Sequence, residues 1–205
     1  MKAIQRISYK RIKLRYEQKG YTFFEKPYDL NVFGIRSLNK IAGRFDDYVG
    51  VAYKDNSNTE RLFIVKATTD PGTKWLLNPL HPKGAAILLP GQYRRAYKLG
   101  VHGRTWASGG YPALEQSNLM KYVRDNNKNN ILGDSVTVPF LDNLKTNIHR
   151  ASKWKVVDLI GSYSAGCQVI QDPVDFEAFL TICKEQETHG HGSYFTYTLM
   201  EETDF

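Results

Sequence analysis

Short segments that read as strands, cut apart by turn signals, constrain this chain more than any other feature. They are LNVFGIRS (30–37), DYVGVAYKD (47–55), RLFIVKATT (61–69), AAILLPGQY (85–93), SVTVPF (135–140) and YFTYTLM (194–200), and Asp70-Pro71-Gly72, Pro90-Gly91 and Gly109-Gly110 are among the turns between them. Segments of this length, rich in Val, Ile, Thr, Tyr and Phe, fit a pleated and half-buried surface. One helix is well specified. Asp172 can cap it, Pro173 suits its first position, and Phe176, Phe179, Leu180 and Cys183 recur at i, i+3, i+4 and i+7. The expected fold is mainly β (α+β), with one or two packed helices and long connecting loops. At 205 residues the chain can bury a full-sized core, and one domain with a small appendage is expected.

The appendage is marked by charge. The chain carries a formal net charge of +7, from 28 basic and 21 acidic residues. Residues 1–20 hold seven of the bases (Lys2, Arg6, Lys10, Arg11, Lys13, Arg15 and Lys19) and one acid, Glu17, which leaves 21 bases and 20 acids for the body. A nearly neutral body argues against nucleic-acid binding. The basicity belongs to an N-terminal arm, residues 1–29, ahead of a domain over 30–205. Its period is mixed: Ile4 and Ile7 have helical spacing, whereas Ile12, Leu14 and Tyr16 alternate with Arg11, Lys13 and Arg15 as in a strand. A solvated, loosely packed arm is expected, with an electrostatic tether to an anionic surface as the alternative. No apolar run is long enough to span a bilayer, and the basic start lacks the apolar stretch of a secretory signal, so synthesis in a cytoplasm is expected.

Two cysteines cannot make a disulfide framework, and their settings differ. Cys183 falls on the apolar stripe of the capped helix and is expected to be a small core residue. Cys167 ends a Ser-Ala-Gly-Cys turn at 164–167, eighteen residues after His149, which lies in an apolar-polar strand. A thiol attacks as thiolate, and an imidazole that accepts its proton is the usual way to reach one near neutral pH. Small residues before the cysteine let backbone N–H groups approach a reacting carbonyl oxygen. These residue types suit acyl transfer.

The pattern NIH at 147–149 followed by S-A-G-C at 164–167, with Ser164 fifteen residues after His149, resembles the signature of the L,D-transpeptidase catalytic domain. The strand and turn RLFIVKATTDPGTKW (61–75) resemble that family too, and NVFGIRS, NPLHPKGAAILLPGQY, YPALEQ, RDNN, SAGCQV and FTYTL look like a phage and bacterial branch of it. The resemblance implies a mixed β-sandwich or barrel and a cysteine enzyme that processes peptidoglycan stem peptides through an acyl-enzyme. Residue by residue, it implies Cys167 as nucleophile, His149 as base, the Arg150 carbonyl as the group orienting the imidazole, and the Gly166 and Cys167 N–H groups as oxyanion donors. Ser164, Gln168, Tyr93 and His102 are the expected substrate-binding residues, Ser164 through its turn. Two positions depart from the family pattern: Ala165 stands where a His is usual, and Val169 where an Arg is common. No cofactor or metal is expected. A chain without a secretory signal and with a cell-wall substrate fits a phage-encoded enzyme delivered by lysis or carried in a virion, hydrolysing rather than cross-linking. The rival expectation is a catalytically idle structural or binding module of a phage particle, docked through residues 1–20.

Other signals read as structure. Asp125, Asn127, Asn129 and Asp134 are spaced like a calcium loop, but Asn130 and Val136 stand where Gly and Glu belong, so a polar turn is expected. His189 and His191 lack a carboxylate or cysteine at ligand spacing and read as a loop. His81 reads as a structural or rim residue. Trp75, Trp106 and Trp154 read as core or rim, with Trp106 in a Gly/Ser-rich loop able to cover a site.

Overall fold

The computed structural model describes residues 7–205, so Lys2, Ile4 and Arg6 of the arm, and the Ile4–Ile7 spacing, lie outside it. The expected β-rich fold is present. Strands β1 (Asn31–Arg36), β2 (Asp47–Lys54), β3 (Glu60–Thr68), β5 (Gly91–His102), β6 (Tyr111–Gln116), β9 (Ile148–Arg150), β10 (Gln168–Ile170) and β11 (Tyr194–Glu201) close a barrel in the order β1-β11-β5-β6-β9-β10-β3-β2. Its β1–β11 and β9–β10 pairs are parallel and the others antiparallel. Strands β4 (Ala85–Leu88), β7 (Met120–Asp125) and β8 (Phe140–Asp142) form a separate three-stranded sheet, order β4-β7-β8. Among the described residues no helix is long and apolar enough to cross a membrane.

The expected strands at 30–37, 47–55, 61–69 and 194–200 appear as β1, β2, β3 and β11. Two expectations need correction. The run 85–93 is two strands in two different sheets, because Leu89-Pro90 interrupts it; proline cannot donate to a ladder. The run 135–140 is not a strand. Val136 makes a single bridge to Asp125, and Val136 and Val138 are 48% and 82% exposed. Alternation was present there, but only its last residue, Phe140, is covered: it packs against the main core and begins β8, whereas Val136 and Val138 are left exposed.

The arm expectation is also corrected. Residues Tyr9–Gln18 form helix α1, with the Ser8 side chain accepting from the Arg11 N–H at its start. Tyr9, Ile12 and Tyr16 fall at i, i+3 and i+7, are buried, and pack with Phe33, Ile35, Ala52 and Met200, whereas Leu14 is exposed. The strand-like alternation was incidental, because the barrel wall selects the helical stripe. Several of the arm's cations are held within the molecule: Lys13 by Glu25 at 2.7 Å, Lys19 by Asp204 at 2.7 Å, and Arg11 by the Phe205 carbonyl. This is a docked helix, not a loose tether.

Helix α3 (Pro173–Thr188) matches expectation: Asp172 caps it through the Val174 N–H, and Phe176, Phe179, Leu180 and Cys183 enter the main core beside Ile148, Ile170, Tyr97 and Tyr197. A short helix α2 (Thr73–Leu77) was not foreseen. The turn before it is tied to the Ser-Ala-Gly-Cys segment: Gly72 N–H donates to the Ser164 carbonyl (2.8 Å), and Trp75 Nε1–H to the Ser162 carbonyl (3.0 Å). A side chain at Gly72 would lie 2.3 Å from the Gly161 oxygen, so this approach requires glycine. Beneath the same corner the Arg36 guanidinium lies 2.9 Å from Asp70, with Asp47 accepting from the Thr69 N–H (2.7 Å) and hydroxyl (2.8 Å). Two buried carboxyls around one guanidinium leave negative charge in excess, and burial raises both.

Candidate active site

The parallel β9–β10 pair joins the two halves of the expected constellation. Its register sets Val169 beside His149 and Gln168 beside Ile148, and the Gln168 N–H donates to the Asn147 carbonyl (3.0 Å). Ile148 and Ile170 face the main core. Cys167 packs against the smaller cluster of Phe45, Ile160 and Val169, and Val169 is the strand neighbour of His149. The turn can bring Cys167 here because Gly166 adopts φ +125, and a side chain at that position would meet the Ala86 carbonyl at 2.9 Å.

The imidazole is oriented by hydrogen bonds. His149 Nδ1 lies 2.8 Å from the Arg150 carbonyl oxygen, which can only accept, so Nδ1 carries the proton and Nε2 the lone pair. Tyr111 Oη lies 3.1 Å from the same Nδ1 and donates to the same carbonyl at 3.2 Å. Nε2 is buried and has no hydrogen-bond partner. His102 stacks on the ring, centroids 3.8 Å apart and planes 13° apart. The His102 tautomer also follows: the Asn147 side-chain oxygen accepts from the Gln116 N–H (2.9 Å), which leaves the Asn147 amide nitrogen 3.1 Å from His102 Nδ1 as donor. Trp106, half exposed, meets His102 edge-on at 5.2 Å. The Arg150 guanidinium covers Tyr111 at 3.7 Å from the ring centre.

Electrostatics hold all three titratable groups neutral. Burial, then the second imidazole, brings His149 down to about 3, and burial with the Arg150 charge brings His102 down to about 4. Burial pushes the Cys167 thiol up to about 11, opposed by a backbone N–H of Asn147 directed at the sulfur. The nearest side-chain acceptor geometry of Cys167 Sγ is to the Lys145 carbonyl, at 3.8 Å, and no hydrogen bond joins the sulfur to either imidazole. Burial thus favours the neutral forms of both the thiol and the imidazole. Cys183 differs: it is wholly buried among the helix's apolar partners, and burial alone pushes its thiol far higher.

Four expected assignments change. The Gly166 N–H donates to Ser164 Oγ (3.1 Å), so it is not a free oxyanion donor; among the described residues the Cys167 N–H has no acceptor and is the donor left open. Ser164 is fully buried, braces the turn through its hydroxyl bond to the Cys167 carbonyl (2.8 Å), and cannot touch substrate. Gln168 points into the barrel, where its side-chain oxygen accepts from Tyr197 Oη (2.8 Å). Tyr93 is spent on the Leu89 carbonyl (2.6 Å) as a brace between strands. His102 does join the site. Sequence reasoning missed Tyr111 and Asn147. The first follows the Gly109-Gly110 turn and the second precedes His149 by two residues, but only the strand pairing shows that they share one cluster.

The other signals resolve as structure. Asn129 and Asp134 close the 125–134 turn on each other at 3.0 Å. His189 Nδ1 donates to the Glu185 carbonyl (2.8 Å) and its ring stacks on Tyr28, and His191 Nε2 donates to the Pro27 carbonyl (2.9 Å). Among the described residues no group of three or more His, Cys, Asp or Glu is placed to hold a metal ion.

Taken together, the chain is mainly β with a closed barrel, and Cys167 and His149 both lie at its parallel β9–β10 pair. No protein-family model, no curated protein and no solved structure matches the chain.

Proposed function

We propose that the chain is a cysteine-dependent acyl-transfer enzyme of the L,D-transpeptidase kind, acting on peptidoglycan stem peptides at the bacterial cell wall. One observation carries the reading: His149 presents a buried, unpaired Nε2 lone pair, fixed in that tautomer by the Arg150 carbonyl, beside the strand that follows Cys167. A buried basic nitrogen with no partner costs stability and calls for a role. In the proposed reaction Nε2 removes the Cys167 proton as the sulfur attacks a peptide carbonyl, a C–S bond forms, and the C–N bond breaks. The proton passes to the leaving amine, and the Cys167 N–H faces the developing oxyanion. Water or a second amine then opens the thioester. Because thiol and imidazole rest neutral, proton transfer accompanies attack and does not precede it.

A second reading, a catalytically idle module of a phage particle, is favoured by the raised thiol and by the occupied Gly166 N–H. Mass spectrometry of stem peptides from purified peptidoglycan, before and after incubation with the protein, separates the two. New cleaved or exchanged stems that vanish with Cys167→Ala are expected of the enzyme. An unchanged stem profile at high enzyme concentration favours the idle module.

A further inference from the structure

A cavity of about 300 Å³ opens where the last turn of α3 meets β5 and β11. Gln186 frames it: its side chain donates to the Gly192 and Tyr194 carbonyls (3.0 Å each) and accepts from the Leu30 N–H (3.2 Å). The candidate active site lies at the other end of the helix, where Phe176 packs on Tyr111 with ring centres 6.3 Å apart. Ten residues separate Phe176 from Gln186, about 15 Å of helix axis. The volume reaches the range of small-molecule sites, roughly 300–1,000 Å³.

A bulge supplies its cations. The β5–β11 pairing passes from Tyr97–Phe195 to Tyr93–Tyr197, so Arg94, Arg95 and Ala96 stand opposite Thr196 alone. In a regular strand Arg94 and Arg95 would face opposite sides. Here Arg95 takes a left-handed backbone, φ +50, and both residues line the cavity. That unfavourable backbone is held from outside the strand: Ser117 Oγ donates to the Arg95 carbonyl (2.6 Å), and the Asn118 side-chain amide to the Arg94 carbonyl (3.1 Å). The Arg94 guanidinium lies 5.2 Å from the centre of the Phe24 ring, and that of Arg95 4.0 Å from the centre of the Tyr194 ring. Both rings are cavity walls, which places both charges at its edge. Apart from these rings neither guanidinium has a partner among the described residues, and both arginines are exposed, so a ligand can reach them.

Asp29 lines the same cavity. Its carboxylate has no hydrogen bond among the described residues, and its nearest ion-pair contact is His191 Nδ1, at 3.9 Å. Because His191 Nε2 donates to the Pro27 carbonyl, the neutral ring turns a lone pair and not a proton towards Asp29. The Thr196 hydroxyl, on the cavity wall, is also without a hydrogen-bond partner among the described residues. One carboxylate is satisfied by a single guanidinium fork, whereas two forks on Cα atoms about 3.8 Å apart suit a group with three anionic oxygens, a phosphate. An unpaired carboxylate and a free hydroxyl suit hydroxyl groups on the rest of the ligand.

We propose that this cavity binds a small phosphomonoester bearing hydroxyl groups, its phosphate held between Arg94 and Arg95 and a hydroxyl donating to Asp29. The site is independent of the acyl-transfer reading and stands or fails without it.

The test is calorimetric titration of the full chain with ribose 5-phosphate, inorganic phosphate and ribose. Ribose 5-phosphate should bind most tightly, inorganic phosphate more weakly, and ribose below detection. A charge-assisted contact is worth on the order of tenfold or more in affinity, so Arg94→Gln and Arg95→Gln should each weaken ribose 5-phosphate by at least that factor. Asp29→Asn should narrow the margin between ribose 5-phosphate and inorganic phosphate, a ratio that loss of charge alone leaves unchanged. Thermal melting of each variant checks the fold, and Arg94→Gln, at a position without the left-handed backbone, carries the test if Arg95→Gln unfolds. Three results would overturn the site: no binding of either phosphate compound at millimolar concentration, ribose binding as tightly as its phosphate, or an affinity unchanged by Arg94→Gln in a folded protein. An unchanged margin in Asp29→Asn would overturn the hydroxyl contact.

Discussion

On the β1–β2 wall of the barrel, helix α1 lays Tyr9, Ile12 and Tyr16 against Phe33, Ile35, Ala52 and Met200, an almost wholly apolar seam. On the β9–β10 wall the residues beside the strands are His149, His102, Asn147, Tyr111 and Cys167, buried or half-buried and polar. Both walls belong to one closed sheet, and both are covered. The first cover adds stability by removing apolar surface from water, about 1.5–3 kcal/mol for each large side chain. The second places titratable groups where their charged forms are disfavoured, which costs stability. Burial alone therefore does not separate structure from function here. Unpaired buried polar atoms occur on both walls, the Tyr9 and Tyr16 hydroxyls on the first and His149 Nε2 on the second. Only the second is an imidazole nitrogen with a free lone pair, the feature on which the proposed function rests.

The sharpest way to break this contrast is to remove the polar wall's chemistry. Cys167→Ala, His149→Ala and the double variant should each lose stem-processing activity, on the order of thousands-fold, with the double no worse than the singles because the two act as one unit. Near-normal turnover by His149→Ala would move the base elsewhere, with His102 next in line.

The apolar wall should fail in stability. Ile12→Ala should cost about 2–5 kcal/mol by leaving a cavity in the seam, read as a fall in the urea midpoint at unchanged slope. Activity per folded molecule should not change. A chain beginning near Lys19 should lose still more. If that truncation melted like the full chain, α1 would be an ornament and not a wall.

Acid should act on the polar wall selectively. Both imidazoles have folded values below the ordinary 6.5, His102 at about 4 and His149 at about 3, so the unfolded chain binds more protons between those limits. The stability they contribute is fully present above about pH 6.5 and is lost as pH falls through about 4 towards 3. Chemical denaturation across that range should show the decline, smaller in His102→Asn. A decline of equal size in a His102→Asn, His149→Asn double variant would assign it to other groups.

How far the sequence disclosed all this depended on whether local pattern and tertiary cover agreed. At α3 the Asp172 cap, Pro173 and the apolar stripe all point one way, and the helix is there. At α1 two periods competed; Ser8 and the Tyr9–Ile12–Tyr16 spacing were the decisive signals, and the wall that selects between them is distant in sequence. At 135–140 the alternation found a covering surface only at Phe140, where β8 begins. The site divided similarly. His149 and Cys167 stood out by residue type and spacing and lie at the same strand pair, whereas His102, a rim candidate that read equally as a structural histidine, is placed only by its stacking on His149. Ser164 supports the turn as expected, but Gln168 was misread, because one step along a strand sends a side chain inward and the direction is invisible without the register.

The most direct test of the central claim is limited iodoacetamide labelling of the native protein at several pH values, followed by peptide mapping. Cys167, partly exposed and with its thiol at about 11, should label first, slowly at neutral pH and with a rate still climbing above pH 9. Cys183, sealed in the core, should stay unmodified until the protein unfolds. Labelling of Cys183 ahead of Cys167 in the folded chain would contradict the account.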